Sequence, residues 1–133
     1  MQNLLYALIQ AIHNVGAVVI VAVGAYGLYF SQIQSRRALA LILGISWSIQ
    51  GLTGGAFGLT TYYYYQQLPD IHGVAIAALG LKVLCVILGF LVSMAYVLWY
   101  YKITEKLDRG IWKVMFILGL LALTSAAFLR WFS

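Results

Sequence analysis

The chain alternates long apolar runs with short polar segments. Four runs are long enough to cross the roughly 30 Å hydrocarbon core of a bilayer, which takes about 20 residues of α-helix. We place these helices near residues 5–30, 39–61, 74–100 and 112–132. The pattern predicts an all-α integral membrane protein with a single domain over residues 1–133, arranged as an up-down-up-down bundle of four transmembrane helices.

The composition and the positions of the charges support this prediction. The chain is 64% hydrophobic and 8% charged, which is far from the balance of a soluble globular domain. The basic residues are concentrated in the segments between helices one and two and between helices three and four, where six lie: Arg36, Arg37, Lys102, Lys106, Arg109 and Lys113. The opposite side has only Arg130. The positive-inside rule therefore places both basic segments in the cytoplasm and both termini outside.

The same charge distribution limits the partners of the protein. The net charge of +5 follows from the two basic segments, and no nucleic-acid-binding module is visible. The lipid bilayer is the expected partner. The four tyrosines Tyr62–Tyr65 follow helix two, where they suit an interfacial aromatic belt or a docking surface for an external protein.

Small residues recur on one face of each of the first two helices. At 100° per residue the stripe on helix one is His13, Gly16, Ile20, Gly24 and Gly27, and the stripe on helix two is Gly44, Trp47, Gly51, Gly55 and Gly58. Two explanations are open. Small residues let transmembrane helices approach closely, and they also leave room for a flat ligand such as a porphyrin.

Lys82 lies inside the apolar run "LGLKVLCVIL" of helix three. A charged side chain at this depth costs about 3 kcal/mol on the lenient insertion scale. The three acids, which we place in loops or at membrane edges, are Asp70, Glu105 and Asp108. Lys82 is therefore neutral, extended towards the interface, or bound to an anionic group of a ligand or a partner subunit.

The depths of the two histidines can be compared with the depth of Lys82. Counted from predicted cytoplasmic ends at Phe30 and Tyr100, His13 lies 17 residues deep and Lys82 lies 18 residues deep. Helices one and three are diagonal in the predicted bundle, so these two side chains can share one central space. His72 lies about 16 Å further out at 1.5 Å per residue. We expect His72 at the outer interface, with a lesser role as a metal ligand or entry-site residue.

Three segments resemble a known family. The order of "IHNVGAVVIVAVGAYG" in helix one, Thr53 and Gly54 in helix two, and "LGLKVLCVILG" in helix three resembles the CopD-like membrane proteins and their haem-binding relatives, the HemJ-type protoporphyrinogen oxidases. The resemblance implies a haem b with His13 as a ligand of its iron and Lys82 as the second functional residue, beside Gly16, Thr53 and Gly54. It also implies the bacterial inner membrane. The segment "AVGAYGLYFSQ" lacks the Pro-Arg-containing sequence of the enzyme, so enzymatic activity stays open.

Three functions are compatible with these features. The first, which we favour, is a haem b-binding membrane protein with a redox or electron-transfer role and an external redox protein as its partner. The second is a non-catalytic subunit of a larger membrane complex, as a homo- or hetero-oligomer. The third is transport of copper or a small solute, as the CopD-like resemblance implies.

Overall fold

The computed structural model describes residues 1–30, 32–67 and 70–132, and most of these residues are helical. Its four long helices are α1 (Gln2–Tyr29), α2 (Ile33–Tyr65), α3 (Val74–Trp99) and α4 (Glu105–Phe132), and a short 3-10 helix (Tyr100–Lys102) follows α3. No strand occurs in these described ranges. Each of the four helices is long and apolar enough to cross a membrane, which confirms the all-α prediction.

Two helices extend beyond the predicted apolar runs. Helix α2 covers Ile33–Tyr65 where we predicted 39–61, and α4 begins at Glu105 where we predicted a start near residue 112. The reason is that hydropathy marks the lipid-facing part of a helix, whereas Lys, Arg, Glu and Gln are good helix formers that continue it. The end of α2 is marked by the left-handed backbone of Gln66, with φ of 54°.

The glycine stripe of α1 packs against neighbouring helices. The buried residues of α1 are the five predicted from the sequence, His13, Gly16, Ile20, Gly24 and Gly27. A Cβ on Gly24 would stand 3.4 Å from the Cα of Phe116, and one on Gly27 would overlap the indole ring of Trp112. The space beside these two glycines is therefore filled by α4, which supports the explanation by close helix packing.

The stripe of α2 packs on α3 along only part of its length. Gly44 lies against Met94, and the indole of Trp47 lies over Gly89. Gly51 is the next glycine along α2, and a Cβ there would stand 3.4 Å from Val86. Beyond it, Gly54, Gly55 and Gly58 have no packing neighbour within 4 Å of an added Cβ. A side chain at Gly55 or Gly58, in the second half of the predicted stripe, would thus begin in open space.

A matched pair of glycine substitutions tests this packing. Gly27→Ala is expected to lower the free energy of unfolding by about 1–3 kcal/mol, because the new methyl group overlaps Trp112. Gly80→Ala, where no neighbour lies within 4 Å, is expected to be neutral or stabilising by up to about 1 kcal/mol, since Ala is the better helix former. Unfolding in detergent, followed by circular dichroism, measures both. Equal destabilisation by the two variants would contradict the packing of α1 on α4.

Asp108 lies in a helix and is buried. We predicted a loop or a membrane edge; the residue belongs to the first turn of α4 and is only 3% exposed, so the loop position is wrong. Its carboxylate accepts hydrogen bonds from Arg36 Nη1 of α2 and from the Tyr96 hydroxyl of α3. The earlier start of α4 explains the difference, because it brings residue 108 onto the helix face that also carries buried Trp112. We call Arg36, Tyr96 and Asp108 the Asp108 cluster; it joins three helices.

One half of the α1–α2 pair is not covered by the other helices. None of residues 2–12 of α1 or 51–65 of α2 is buried, and we call these two ranges the open half. The two helices still bind each other there, because Gln2 Nε2 donates to the Tyr65 hydroxyl and Tyr6 bonds Thr61. The exposed residues are therefore part of an ordered helix pair whose inner face lacks a covering layer.

Candidate functional site

His13 of α1 and Lys82 of α3 meet inside the bundle. The Nζ atom of Lys82 lies 2.9 Å from Nε2 of His13, within hydrogen-bond distance. His13 is only 8% exposed, and Lys82 is half-buried. The predicted pairing of these two side chains is confirmed. It arises because both residues lie at similar depth on inward-facing stripes of their helices.

Thr53 of α2 determines which nitrogen of His13 carries the proton. Its Oγ1 lies 2.6 Å from Nδ1 of His13 and also 2.6 Å from the carbonyl oxygen of Ile49. A threonine hydroxyl has one proton, which it donates to the Ile49 carbonyl, so Oγ1 accepts from the Nδ1–H of His13. The lone pair of a neutral imidazole is then on Nε2, where it accepts an N–H from Lys82.

The backbone of His13 is held by Gln50 of α2. The Gln50 Nε2 donates to the His13 carbonyl oxygen over 2.5 Å, and the side chain is buried. A Cβ on Gly16 would stand 2.7 Å from this Nε2, so the glycine makes room for the amide. The ring of Phe57 meets the imidazole edge-on, with 5.8 Å between centroids. The direction of the imidazole is thus determined by three residues of α2.

Sequence reasoning missed the role of Gln50. The spacing contained a usable signal, because positions 50, 53 and 57 follow the i, i+3, i+7 pattern of one helix face. That face is the one that contacts His13.

The other predicted site residues are placed differently. Gly16 belongs to the site through Gln50, whereas Gly54 has no packing neighbour within 4 Å and is exposed. The His72 side chain is 82% exposed, and its Nε2 lies 3.0 Å from Oδ1 of Asp70, just before α3. This agrees with the expected separation of His72 from His13. The part of the chain that the structure describes has no group of three or more His, Cys, Asp or Glu residues that could hold a metal ion.

Lys82 pairs with no carboxylate of the described residues. Asp108 binds Arg36 and Tyr96, and Asp70 binds His72. Glu105 is the first residue of α4 and is exposed. No ion pair between Lys82 and an acid is found among residues 1–30, 32–67 and 70–132. The site therefore combines an oriented imidazole with an amine that lacks an anionic partner.

Comparison with protein-family models, with characterised proteins and with solved structures finds no match for this chain.

The proton position on His13 can be measured directly. We expect the nitrogen chemical shifts of labelled His13 to show a neutral ring protonated at Nδ1, because Thr53 Oγ1 accepts from that atom. Thr53→Val keeps the side-chain shape but removes the acceptor, so the proton should move partly to Nε2. A wild-type ring protonated at Nε2 alone would contradict the assigned hydrogen-bond directions.

Proposed function

We propose that this chain is a small polytopic membrane protein that binds haem b at His13 and Lys82 and has a redox or electron-transfer role. The observation that carries the proposal is the 2.9 Å contact between an oriented imidazole and a lysine that pairs with none of the described acids, Asp70, Glu105 and Asp108. The resemblance of three sequence segments to the CopD-like and HemJ-type proteins supports the same assignment.

The donor set of the site fits a haem whose iron His13 would hold. A metal-bound histidine commonly donates its second ring N–H to a neighbouring acceptor, which fixes the ring and raises its basicity. Thr53 provides that acceptor for Nδ1 of His13, which leaves Nε2 as the ligand atom. Lys82 has a long flexible side chain and would vacate Nε2 on binding. A bound haem supplies one-electron chemistry at its iron.

The proposed role of Lys82 is to bind a carboxylate of the haem. A lysine at membrane depth is costly unless an anion compensates it, and a charge-assisted hydrogen bond to a propionate does so. Nζ already lies at the imidazole, so a ligand on His13 would be within reach of this side chain. The chain contributes the cation and the haem contributes the anion.

Lys82→Met tests this role. We expect the affinity for haemin to fall by about tenfold to a hundredfold, the value of one charge-assisted hydrogen bond. The helix content should be unchanged, because Met is a good helix former of similar length. Haemin titration and circular dichroism of the same sample measure the two effects. Wild-type affinity in the variant would show that Lys82 does not contact the ligand.

The proposal includes a membrane topology. In an up-down-up-down bundle with both termini outside, the basic segments after α1 and α3 lie in the cytoplasm. Contacts of residues 2, 6 and 13 with residues 65, 61 and 53 support an antiparallel α1–α2 pair. The bacterial inner membrane is the proposed location.

Haemin titration of the purified, haem-free protein in detergent tests the function. We expect a saturable Soret band with one haemin per chain. The His72→Ala variant is the matched histidine control and should bind as the wild type does, because His72 is exposed before α3. A Soret change that grows linearly with haemin, without saturation, would contradict haem binding.

The second candidate is a non-catalytic subunit of a larger membrane complex. The observation that favours it is again Lys82, since an acid of a partner subunit could compensate its charge. Tyr62–Tyr65 at the end of α2 are exposed and offer a contact surface. Purification from native membranes distinguishes this function. It predicts a partner in fixed ratio that cross-links through an acid to Lys82, in a complex without haem.

A further inference from the structure

We propose that haem enters through the open half and lies against the face of α2 that carries Gly54. This inference rests on the proposed haem binding and adds the route and the surface. The ligand it proposes has a planar apolar ring and carboxylates that reach Lys82 from the open half.

The site lies where the buried residues of α1 and α2 end, whereas α3 stays buried beyond Lys82 at Ala75 and Ala78. His13 is the buried residue of α1 nearest to its start, and Gln50 is the buried residue of α2 nearest to its end. Thr53, whose hydroxyl contacts the imidazole of His13, follows Gln50 along α2. A ligand in the open half would therefore reach His13 and Lys82 without crossing the packed core.

Gly54 lies on the face of α2 that other helices cover nearer to the start of α2. It follows Gln50 by four residues and Trp47 by seven, so all three share one face of the helix. Trp47 and Gln50 are buried, yet Gly54 is exposed and has no packing neighbour within 4 Å. The covering layer thus ends between Gln50 and Gly54, although the helix continues to Tyr65.

The contacts between α2 and α3 end at the same boundary. Trp47 packs on Gly89 and Gly51 faces Val86, whereas Gly55 and Gly58 have no neighbour within 4 Å. In contrast, α1 and α2 stay hydrogen-bonded up to Gln2 and Tyr65. The opening is consequently bounded on one side by the α1–α2 pair, which carries the exposed Gly54 and Gly55. On the other side, α3 and α4 stay buried at Ala75 and Ser125.

The chemistry of this opening favours an amphiphilic dicarboxylate. Glycine faces let a flat ring approach the helix backbone, and the apolar residues of membrane-spanning helices suit a macrocycle. Lys82 provides the positive charge for a carboxylate, and no acid in the described part of the chain pairs with it. An uncharged lipid tail would fill the same space without using Lys82.

Two leucine substitutions at open glycines test the inference. Gly54→Leu fills the proposed binding face, whereas Gly80→Leu is the matched control on α3, on the exposed face shared with Val83, Leu84 and Ile87. Neither glycine has a neighbour within 4 Å, so both variants should fold. We expect Gly54→Leu to weaken haemin binding by at least about tenfold and Gly80→Leu to bind as the wild type does. Gly58→Leu, one turn further along the open half, provides a second blocking variant.

A second measurement tests the ligand class. Haemin dimethyl ester lacks the free carboxylates, so it should bind the wild type more weakly than haemin, and Lys82→Met should abolish this difference. Equal binding of ester and acid by the wild type would overturn the carboxylate assignment. Wild-type affinity in both Gly54→Leu and Gly58→Leu would overturn the entry face while haem binding stands. If the wild type binds no haemin, both the proposed function and this inference are wrong.

Discussion

Asp108→Asn is expected to lower the free energy of unfolding by about 3 kcal/mol or more, as the loss of one partner of a buried ion pair does. The carboxylate accepts from Arg36 of α2 and Tyr96 of α3, so its neutralisation weakens contacts between three helices at once. The amide keeps the shape of the side chain but removes the negative charge that faces the guanidinium. Unfolding by denaturing detergent, followed by circular dichroism, measures the effect.

Glu105→Gln is the matched control for this charge. Glu105 lies three residues earlier in α4 and is exposed, so its neutralisation should change stability by no more than about 0.5 kcal/mol. The double variant Arg36→Met with Asp108→Leu should recover part of the loss, because apolar residues replace both charges. An Asp108→Asn protein that unfolds with the wild-type midpoint would show that the Asp108 cluster does not hold the helices together.

His13→Ala is expected to abolish saturable haemin binding. It removes Nε2, the proposed ligand atom, while the bond from Gln50 to the backbone carbonyl of residue 13 can persist. The α1–α2 contact should therefore remain, and circular dichroism should show the wild-type helix content. Haemin titration of His13→Ala beside His72→Ala measures the difference between the two histidines. Retention of the wild-type Soret change by His13→Ala would exclude this residue as the ligand.

The His13–Lys82 pairing could be predicted because a membrane supplies a common frame. Helical rise converts residue number into depth, and the diagonal positions of helices one and three bring equal depths together. The stripe on α1 was predictable for a related reason, since the 100° periodicity identifies the face that other helices cover.

Asp108 and the open half could not be predicted in this way. Hydropathy does not show where a helix begins outside the apolar run, so Asp108 was placed outside helix four although α4 begins at Glu105. Periodicity also gives the face of a helix but not the length over which a neighbour covers it. Gly44 and Gly58 belong to the same predicted stripe, yet only Gly44 meets a side chain of α3.

The central claim is that His13 and Lys82 form a haem b site, and a reduced-minus-oxidised absorption spectrum of the protein purified from its membrane tests it most directly. The account predicts the Soret and α bands of a b-type haem in the wild type and their absence in His13→Ala. A wild-type spectrum without these bands, from cells that make haem, would contradict the account.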